Sequence, residues 1–443
     1  MEAALISNIN FKSVMKFTIP TIIMMVFMAI YQMVDGVFIS NIIGTDSLSA
    51  VNIVFPVISL LIGVSIMLGT GGSAVIATNL GEGRIMEAKQ RFTFIVAVGI
   101  AVGVISGILG FSLAGPLSNA LGSTPALYDY CVDYISVLSL AAPFAVLQML
   151  FTCFFPAAGK PKLGLAVVVA GGVANVILDW LFMAVLGLGI KGAAVATGIG
   201  YAIPAVFGVV YFAVKRDGLL CFEKPKAEFK VLLSACFNGS SEMVTNLANG
   251  VTTFLFNLMM MKIVGEDGVA AITVALYAQF LLTAVYMGYS GGIAPVISYN
   301  YGRQDTAALK KTIKISLIFI VLNSVLWFFL SIVLEDAITG IFVRDGNEVK
   351  RIIDEGWKIF TLTFLLAGFN IFASSMFTAF SNGLISALIS FLRTFGFLSA
   401  CILLLPTFAG VNGIWLSVPL AEALTLCISV LCFIIYRKKY EYI

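Results

Sequence analysis

Two acidic residues lie inside long apolar segments of the sequence. Asp35 falls within the apolar run that begins near Phe17, and Asp179 ends the run GVANVILD. A charged side chain near the centre of a lipid bilayer costs at least about 2.5–3.5 kcal/mol, so each acid needs a reason to be there. Because no basic residue lies near either acid in these segments, the two carboxylates are candidates for binding a cation from solution.

Asn175 and Thr197 extend this set of polar groups. Asn175 precedes Asp179 by one helical turn and therefore lies on the same helix face. The predicted helix ends place Asp35, Asp179 and Thr197 about 8–12 Å below one membrane boundary. Two carboxylates, an amide oxygen and a hydroxyl at one depth suit a hard cation such as Na⁺, and two adjacent carboxylates can instead hold a proton. The alternative is that each acid only hydrogen-bonds a neighbouring helix.

The second half of the chain has its own charged residues within apolar segments. Glu242 lies in SSEMVTNLANG together with Asn246, and this pair is a candidate site for a substrate or an ion. Glu422 is deep in a predicted helix, and its context permits a structural or a functional role. Lys358 and Arg393 lie near predicted helix ends, where we expect their long side chains to extend to the membrane interface.

The sequence argues against an enzyme. It has no histidine, the commonest metal ligand and near-neutral proton carrier. None of its seven cysteines forms a CxxC pair, and there is no G-x-x-x-x-G-K-[ST] phosphate-binding loop. No basic stripe of the kind that binds nucleic acid is present. We therefore predict no catalytic residue, no cofactor and no nucleic-acid partner, so that an ion gradient must supply any driving energy.

The composition predicts that these polar groups are held by membrane-spanning helices. Hydrophobic residues make up 60% of the 443 residues and charged residues only 11%, whereas soluble domains are about a quarter charged. A spanning helix needs about 20 apolar residues. Breaks at Gly, Pro, Asn and charged residues then predict an all-α integral membrane protein of twelve helices near 14–39, 50–79, 92–115, 128–156, 163–186, 192–214, 232–262, 269–300, 313–334, 348–380, 384–407 and 412–436.

The Lys and Arg residues predict the orientation of these helices. When the predicted helices alternate in direction, most basic residues fall on one side, and the other side holds only Lys191, Lys262, Arg344, Lys350 and Arg351. Cytoplasmic loops carry the excess of basic residues. We therefore expect a multi-pass protein of the plasma (inner) membrane, surrounded by lipid, with both termini in the cytoplasm.

The chain contains an internal repeat. A shift of 221 positions aligns Gly44 with Gly265 and Gly81 with Gly302, and we interpret these shared glycines as scaffold, in tight turns and at close approaches between helices. Six spans in each half predict a parallel repeat, with two six-helix lobes related by a pseudo-twofold axis along the membrane normal. Polar residues found in one half only are better candidates for function, and Phe256 occupies the position equivalent to Asp35.

This repeat divides the chain into domains. We predict an amino-terminal lobe at 1–214, a cytoplasmic linker at 215–230 and a carboxyl-terminal lobe at 231–443. The linker sequence KRDGLLCFEKPKAEFK is the longest polar stretch between predicted spans, and we expect a solvated connector with an interfacial helix. Nothing in the sequence requires a second copy, so we expect a monomer.

Two further features bear on transport. Pro20 removes a backbone hydrogen bond from the first predicted helix and permits a bend; since Asp35 is on the same helix, occupancy of its site could change the shape of the helix. Methionine and aromatic side chains on expected cavity walls suit organic cations of varied shape. This second set comprises Met24, Met25, Met28, Tyr31, Met33, Phe154, Phe155, Met259, Met260, Tyr277, Tyr286 and Met287, and packing against lipid is an alternative explanation for each.

Over nearly its full length the chain resembles the multidrug and toxic compound extrusion (MATE) family of cation-coupled exporters. The resemblance rests on MVDGVFISNIIGTDSLSAVNIVFP in predicted helices 1 and 2, the turns NLGEGR and NYGRQD, AAGKPK after predicted helix 4, and GVANVILD in predicted helix 5. It implies two six-helix bundles that form a V-shaped central cleft.

The resemblance also implies site residues. In one prokaryotic branch of the family, a cation site in the first bundle matches Asp35, Asn175, Asp179 and Thr197 here, with Ala193 as a backbone ligand, and the helix-1 proline of the family matches Pro20. Glu242 resembles an acid that another branch uses together with an aspartate on helix 10. This chain has only neutral residues near that aspartate, at Phe369–Asn370, which puts a complete ion site in the second lobe in doubt.

We therefore predict an antiporter that exports organic, mainly cationic drugs and toxic compounds by alternating access. Na⁺ or H⁺ would couple export at Asp35, Asn175, Asp179 and Thr197. The nearest alternative is a flippase or exporter of a lipid-linked or other endogenous metabolite, which would favour a basic cavity. A passive channel is a further alternative, against which the lobed repeat and the buried acids argue.

Overall fold

The computed structural model describes residues 9–340 and 348–442, and this part of the chain is almost entirely helical. We number the membrane-spanning helices α1 to α12. The first six are Phe11–Ile43, Thr45–Gly81, Ile85–Ser112, the bent pair Tyr128–Leu140 and Ala142–Ala157, Pro161–Val185 and Gly189–Val214. The last six are Phe229–Ile263, Glu266–Gly302, Thr306–Val333, the bent pair Glu348–Phe360 and Thr363–Ala379, 383–409 and 411–440.

The count of twelve depends on where helices bend. Eight helices of the described chain are long and apolar enough to span a membrane, and two pairs bent by 59° and 54° raise the number to ten. The continuous segment Gly383–Tyr440 has 58 residues, far more than one span needs, and Gly410 breaks its helical backbone with φ 55°. α7 is the twelfth; it is 35 residues long, and its Asn, Ser and Thr residues lower its hydropathy. The predicted all-α, two-lobe architecture is confirmed.

Several helices extend beyond the predicted boundaries. α3 begins at Ile85 and not near 92, because its amphipathic first turns continue the helix outside the apolar core. Two short helices, Ala114–Ala120 and Glu335–Gly340, were not predicted. Arg344, which contributed to the predicted orientation, lies outside the described residues.

The connection between α6 and α7 differs from its prediction. Residues 215–228 contain no helix, so the expected interfacial helix is wrong. Leu220 and Cys221 are fully buried, and the ring of Phe222 stacks on Phe92 of α3 with centroids 5.3 Å apart. The segment therefore covers the end of the first lobe. The residue limits of the two lobes remain predictions.

In the described part of the chain, the two lobes meet mainly at one end of the bundle. At the end that carries Lys12, Arg84, Arg303 and Arg437, which we call the basic face, apolar clusters contain residues of both lobes. In one of them, α1 of the first lobe packs with α8 and α9 of the second lobe. At the opposite end, the far face, two further clusters are each built from one lobe alone. Among the described residues, the lobes thus pack together at the basic face and separate towards the far face.

Glycines allow the backbones of the two lobes to touch at the basic face. A Cβ added to Gly81 of α2 would lie 2.0 Å from the carbonyl oxygen of Tyr299 in α8, and one added to Gly302 would lie 2.1 Å from that of Thr78. Since Gly302 and Tyr299 are Gly81 and Thr78 shifted by 221 positions, the contact is symmetric about the pseudo-twofold axis. The predicted close approach at Gly81 and Gly302 is confirmed.

The repeated turn glycines have a different role. Gly44 has φ 125° and Gly265 has φ 98°, values that L residues with a side chain rarely adopt. These two glycines form the turns between α1 and α2 and between α7 and α8. Their predicted role as scaffold in tight turns is confirmed.

Candidate functional site

Close packing of α1, α5 and α6 builds the site. A Cβ on Gly171 of α5 would lie 2.6 Å from the carbonyl oxygen of Gly200 in α6, and one on Gly172 would lie 2.5 Å from the ring of Phe27 in α1. A Cβ on Gly200 would in turn lie 3.0 Å from the Cβ of Asn175. Small residues therefore bring three helices together where the polar side chains project.

Both acids lie at a change of helix type. Asp35 is near the end of the α-helical part of α1, and its carbonyl oxygen accepts a hydrogen bond from the backbone N–H of Ile39, the first residue of the π-helical segment Ile39–Ile43. Asp179 is the last α-helical residue of α5, before the π-helical segment Trp180–Val185. Such π-helical turns are rare and are frequent at functional sites. Sequence spacing gave no signal of them.

The polar atoms of the site are buried without partners. Asp179 is 0% exposed, Asn175 2% and Thr197 9%, whereas Asp35 is half-buried. Both carboxylate oxygens of Asp179, Oδ1 of Asp35, both amide atoms of Asn175 and the Thr197 hydroxyl lack a hydrogen-bond partner in the described chain. Buried polar atoms are normally paired, so unpaired ones need an explanation.

The donor set fits a monovalent cation or a proton. The carboxyl groups of Asp35 and Asp179 are adjacent to each other, and Asn175 and Thr197 supply neutral oxygens. The described residues include no group of three His, Cys, Asp or Glu that could hold a metal ion. Two carboxylates suit one or two positive charges, and a bound cation or proton would satisfy the unpaired oxygens. Ala193 is fully buried one turn before Thr197; its backbone role remains a prediction.

The structure adds Tyr134, Gln148 and Tyr201, which the sequence did not single out, and it places Tyr31, which was expected on a cavity wall, close to them. Tyr134 of α4 interacts with Thr197 and, electrostatically, with both acids, and Tyr31 of α1 interacts with Asp35 and Gln148. Tyr31, Gln148 and Tyr201 line a small cavity that also reaches Asn175 and Thr197, with room for about one water molecule. Gln148 was detectable as a lone amide in an apolar run, but Tyr134 and Tyr201 give no such signal because tyrosines are also common at the membrane interfaces.

Glu242 and Asn246 lie apart from this cluster. The Ser59 hydroxyl of α2 donates a hydrogen bond of 2.7 Å to Oδ1 of Asn246, so Asn246 links the two lobes near mid-membrane. Glu242 lies one turn closer to the basic face and interacts electrostatically with Arg393 of its own lobe and with Cys153 of the first lobe. Its position between the lobes is compatible with contact to a substrate.

The expected position of Arg393 needs correction, and Glu422, which is deep in its helix as expected, has a partner. Arg393 does not extend to the interface; its Nε donates a 2.8 Å hydrogen bond to Oε1 of Glu422, and its Nη2 lies 2.7 Å from the same oxygen. The partner is on a neighbouring helix, 29 positions away in sequence. Glu422 is therefore neutralised within the second lobe, unlike the two acids of the first lobe.

Six of the twelve side chains that were expected on cavity walls are buried in the helix packing instead. Phe154 and Phe155 are fully buried in the apolar cluster at the basic face, and Met260 is fully buried in the second-lobe cluster at the far face. Tyr286 is also buried, and its hydroxyl donates a hydrogen bond to the carbonyl oxygen of Phe364. Met24 and Met28 are buried too. These side chains stabilise the helix packing. The remaining members of the set are at least partly exposed: Met25, Tyr31, Met33, Met259, Tyr277 and Met287.

Pro20 lies next to the contact between the lobes. A Cβ on Gly288 of α8 would lie 2.5 Å from the Cα of Ile22, and one on Gly292 would lie 2.1 Å from the hydroxyl of Thr21. The residues that follow Pro20 are thus fixed to the second lobe, while Asp35 on the same helix faces the first. Because Thr21, Ile22 and Asp35 all follow Pro20, a bend at Pro20 would let this part of α1 move relative to residues 11–19.

Substituting Pro20 with Ala should restore the helical hydrogen bond, stiffen α1 and lower efflux several-fold. Substrate efflux from cells or vesicles measures the effect. Pro56→Ala, which changes an exposed proline inside α2, is the matched control and should leave efflux near the wild-type rate. Unchanged efflux in the Pro20→Ala variant would contradict the role of a bend.

Comparison with known proteins identifies relatives over the whole chain. The MatE family model matches residues 20–181 and 243–400. The multidrug export protein MepA of Staphylococcus saprophyticus is 24% identical over 432 residues, which is 97% of this chain and 94% of the relative. MepA of Staphylococcus aureus is 24% identical over 434 residues, with the same coverage of both chains.

Solved structures share the fold. An outward-facing MATE family multidrug resistance transporter of the MOP superfamily aligns with a TM-score of 0.91 at 20% identity, over 98% of this chain and 97% of that one. A MOP superfamily transporter from Pyrococcus furiosus, whose binding pocket is described as reversed in polarity, also gives 0.91 at 20% identity, over 99% of this chain and 98% of that one.

Proposed function

The chain belongs to the MatE family and is a multi-pass membrane transporter and not an enzyme, and from this premise we propose that it exports organic molecules, mainly cations, by cation-coupled antiport. The MepA relatives are named multidrug export proteins, which supports drugs and other toxic compounds as substrates. Na⁺ or H⁺ is the coupling ion in this proposal. No cofactor is required.

One observation carries the proposal. Two carboxylates in the first lobe lie side by side, Asp179 buried and Asp35 half-buried, with unpaired oxygens and no basic residue in contact among the described residues. An uncompensated buried charge is strongly unfavourable. A purely structural pair of acids would be expected to have a basic partner, as Glu422 has in Arg393. A site that must release its cation in each cycle cannot have a permanent one.

The basic face is cytoplasmic in this proposal, because cytoplasmic loops carry the excess of Lys and Arg. Both termini then lie in the cytoplasm of a cell whose plasma membrane holds the protein. The lobes pack together at this face and separate at the far face, so the conformation is outward-open. An ion or a substrate can enter the cleft from outside and cannot pass to the cytoplasm.

Ion binding would act through α1. Without a cation, the carboxylates of Asp35 and Asp179 repel each other and hold α1 away from α5. A bound Na⁺ or proton removes the repulsion and lets Asn175 and Thr197 complete the ligand set. Because the part of α1 beyond Pro20 is fixed to α8, this movement would alter the contact between lobes and favour release of the organic cation outside.

The substrate would meet Glu242 in the cleft. Its carboxylate lies between the lobes, and the exposed methionine and tyrosine side chains provide apolar, deformable contacts for an organic cation. A flippase for a lipid-linked metabolite would need several basic residues in the cleft to hold pyrophosphate. Arg393 is paired with Glu422, which leaves this second function without support from the cleft residues.

Efflux from proteoliposomes tests the proposal directly. The purified protein is reconstituted, a fluorescent organic cation is loaded, and an inward Na⁺ gradient and an inward proton gradient are imposed in separate experiments. Antiport predicts efflux that is faster under one gradient or both than without an imposed gradient. Efflux that is equally fast without a gradient would indicate a passive channel and contradict antiport. Export of neutral or anionic compounds alone would contradict the proposed substrate class.

A further inference from the structure

The second lobe contains a buried charge cluster that the transport cycle described above does not use. Arg393 of α11 pairs with Glu422 of α12, and the side chains of these two residues are 14% and 4% exposed. Nδ2 of Asn370, on α10, donates hydrogen bonds of 2.8 Å to Oε2 of Glu422 and 2.9 Å to its carbonyl oxygen. The Ser429 hydroxyl donates a 2.9 Å hydrogen bond to Oδ1 of Asn370. Every oxygen of the Glu422 carboxylate thus has a partner.

The internal repeat relates this cluster to the first lobe. Gly189 and Gly410 differ by 221 positions, and both have the left-handed φ of 56° and 55°. The same shift places Glu422 opposite Tyr201. A shift of 222 aligns Phe155 with Phe377 and places Asn370 opposite Gln148. Tyr201 and Gln148, which line the small cavity beside the cation site, are therefore the counterparts of Glu422 and Asn370.

Arg393 has no side-chain counterpart in the first lobe. The helix starts Pro161 and Gly383 are 222 positions apart, and shifts of 222 and 221 place Arg393 opposite residues 171 and 172 of α5. Gly171 and Gly172 of this stretch line the cavity. Where the first lobe has glycines and a space, the second lobe has a guanidinium group and a carboxylate that neutralises it.

We propose that Arg393 is a tethered cation: it occupies, in the second lobe, a site formed by Glu422, Asn370 and Ser429 that would otherwise bind an inorganic monovalent cation. This proposal extends the proposed ion coupling, because it explains why only the first lobe responds to ions. The first lobe binds a cation that leaves in each cycle, and the second lobe carries one that cannot leave. Arg393 is then a positioning residue that holds α10, α11 and α12 together in every state.

The ligand chemistry supports a small hard cation. Glu422 provides two carboxylate oxygens, and Asn370 and Ser429 provide an amide oxygen and a hydroxyl, which together match the oxygen donors that Na⁺ prefers. Asn370 presents its NH₂ group to Glu422 while Arg393 is bound, and rotation of the amide by half a turn would present its oxygen instead. Removal of the guanidinium leaves both the negative charge and the space that a cation requires.

The test uses the full-length protein with its first-lobe site inactivated. In the Asp35→Asn/Asp179→Asn background, we compare Arg393→Met, which keeps the length of the side chain and removes its charge, with the unchanged parent. Thermal unfolding in detergent is measured in NaCl and in choline chloride at equal ionic strength and alkaline pH. We expect Na⁺ to raise the Tm of the Arg393→Met variant by a few degrees and to leave the parent unchanged.

Two further variants make the result specific. Adding Glu422→Gln to Arg393→Met removes the carboxylate and should abolish the Na⁺ effect, while Arg393→Lys keeps a tethered charge and should show none. An Na⁺ effect that persists without Glu422, or its absence in Arg393→Met, would overturn the proposal. If Arg393→Met does not fold in choline chloride, recovery of folded protein by Na⁺ during purification, but not in the double variant, is the supporting result, and failure in both salts overturns it. Because the first-lobe acids are already replaced, neither outcome depends on whether that site couples transport.

Discussion

The substitutions Asp35→Asn and Asp179→Asn should each abolish gradient-driven export while the protein still folds. Each substitution removes a negative charge and keeps the shape of the side chain, so the packing of α1 against α5 is preserved. A neutral amide neither attracts a cation nor takes up a proton near neutral pH. We expect the initial rate of efflux to fall by about 100-fold, because the coupling free energy of about 3 kcal/mol between ion and substrate is lost.

The thermal unfolding temperature is an independent measurement on the same variants. The two acids lie side by side, one buried and one half-buried, without a counter-charge among the described residues, so removing one of them relieves repulsion. The variants should therefore unfold at or above the wild-type Tm in a buffer without the coupling ion. The wild-type Tm should rise when that ion is added, and the Tm of each variant should not.

An exposed acid of the same lobe provides the control. Asp129 lies in the first turn of α4 and is exposed, and Asp129→Asn should leave both efflux and the response of the Tm to ions unchanged. Retained efflux in both the Asp35→Asn and the Asp179→Asn variant would refute the assignment of the site. A loss of efflux with an unchanged response of the Tm to ions would place the defect after ion binding.

Local periodicity predicted those parts of the site that belong to one helix. Asn175 and Asp179 are one turn apart, so their shared face follows from helix geometry alone. The depth of Asp35 and Thr197 followed from counting residues from helix ends. These inferences are possible in a membrane because the apolar part of each helix has to match the thickness of the bilayer.

Contacts between helices could not be predicted in the same way. The ion pair of Arg393 and Glu422 joins two helices whose relative rotation depends on packing, and counting from a helix end placed Arg393 at the interface. The buried positions of Phe154 and Met260 were missed for the same reason, since an apolar helix in lipid has no polar face to mark its orientation. The bend at Gly410 was predicted only as a break between two spans.

The backbone contact at the basic face predicts the second large effect. Gly81→Ala should prevent the lobes from closing at this face and so abolish export. The added Cβ would lie 2.0 Å from the carbonyl oxygen of Tyr299, and because the obstacle is backbone, the lobes must move apart to accommodate it. Gly302→Ala would meet the carbonyl oxygen of Thr78 at 2.1 Å and should have the same effect.

The free-energy cost of the added methyl group affects only the conformation in which the lobes touch. Overpacking costs about 1–3 kcal/mol, and here the cost applies when the lobes touch at the basic face and disappears when they separate. A difference of about 3 kcal/mol changes the ratio of the two states by more than 100-fold. The variant should therefore be folded, open at the basic face, and unable to return to the outward-open state in which the cation site is reached.

Cysteine labelling can detect that change. Cys236 of α7 packs against the apolar cluster of the first lobe near the basic face. In a variant with the other six cysteines replaced, a membrane-impermeant thiol reagent added to inside-out vesicles should label Cys236 slowly. With Gly81→Ala or Gly302→Ala, labelling should become much faster as the lobes separate.

Gly291→Ala is the matched control, because it adds the same methyl group to α8 at a position with no atom within 4 Å. It should leave labelling and efflux at wild-type values. Wild-type efflux in Gly81→Ala would mean that the lobes need not touch at Tyr299 during transport. Slow labelling together with lost efflux would instead mean that the methyl group locks the lobes and does not separate them. The predicted combination, fast labelling and no efflux, arises only if the glycine contact is what closes the basic face in the outward-open state.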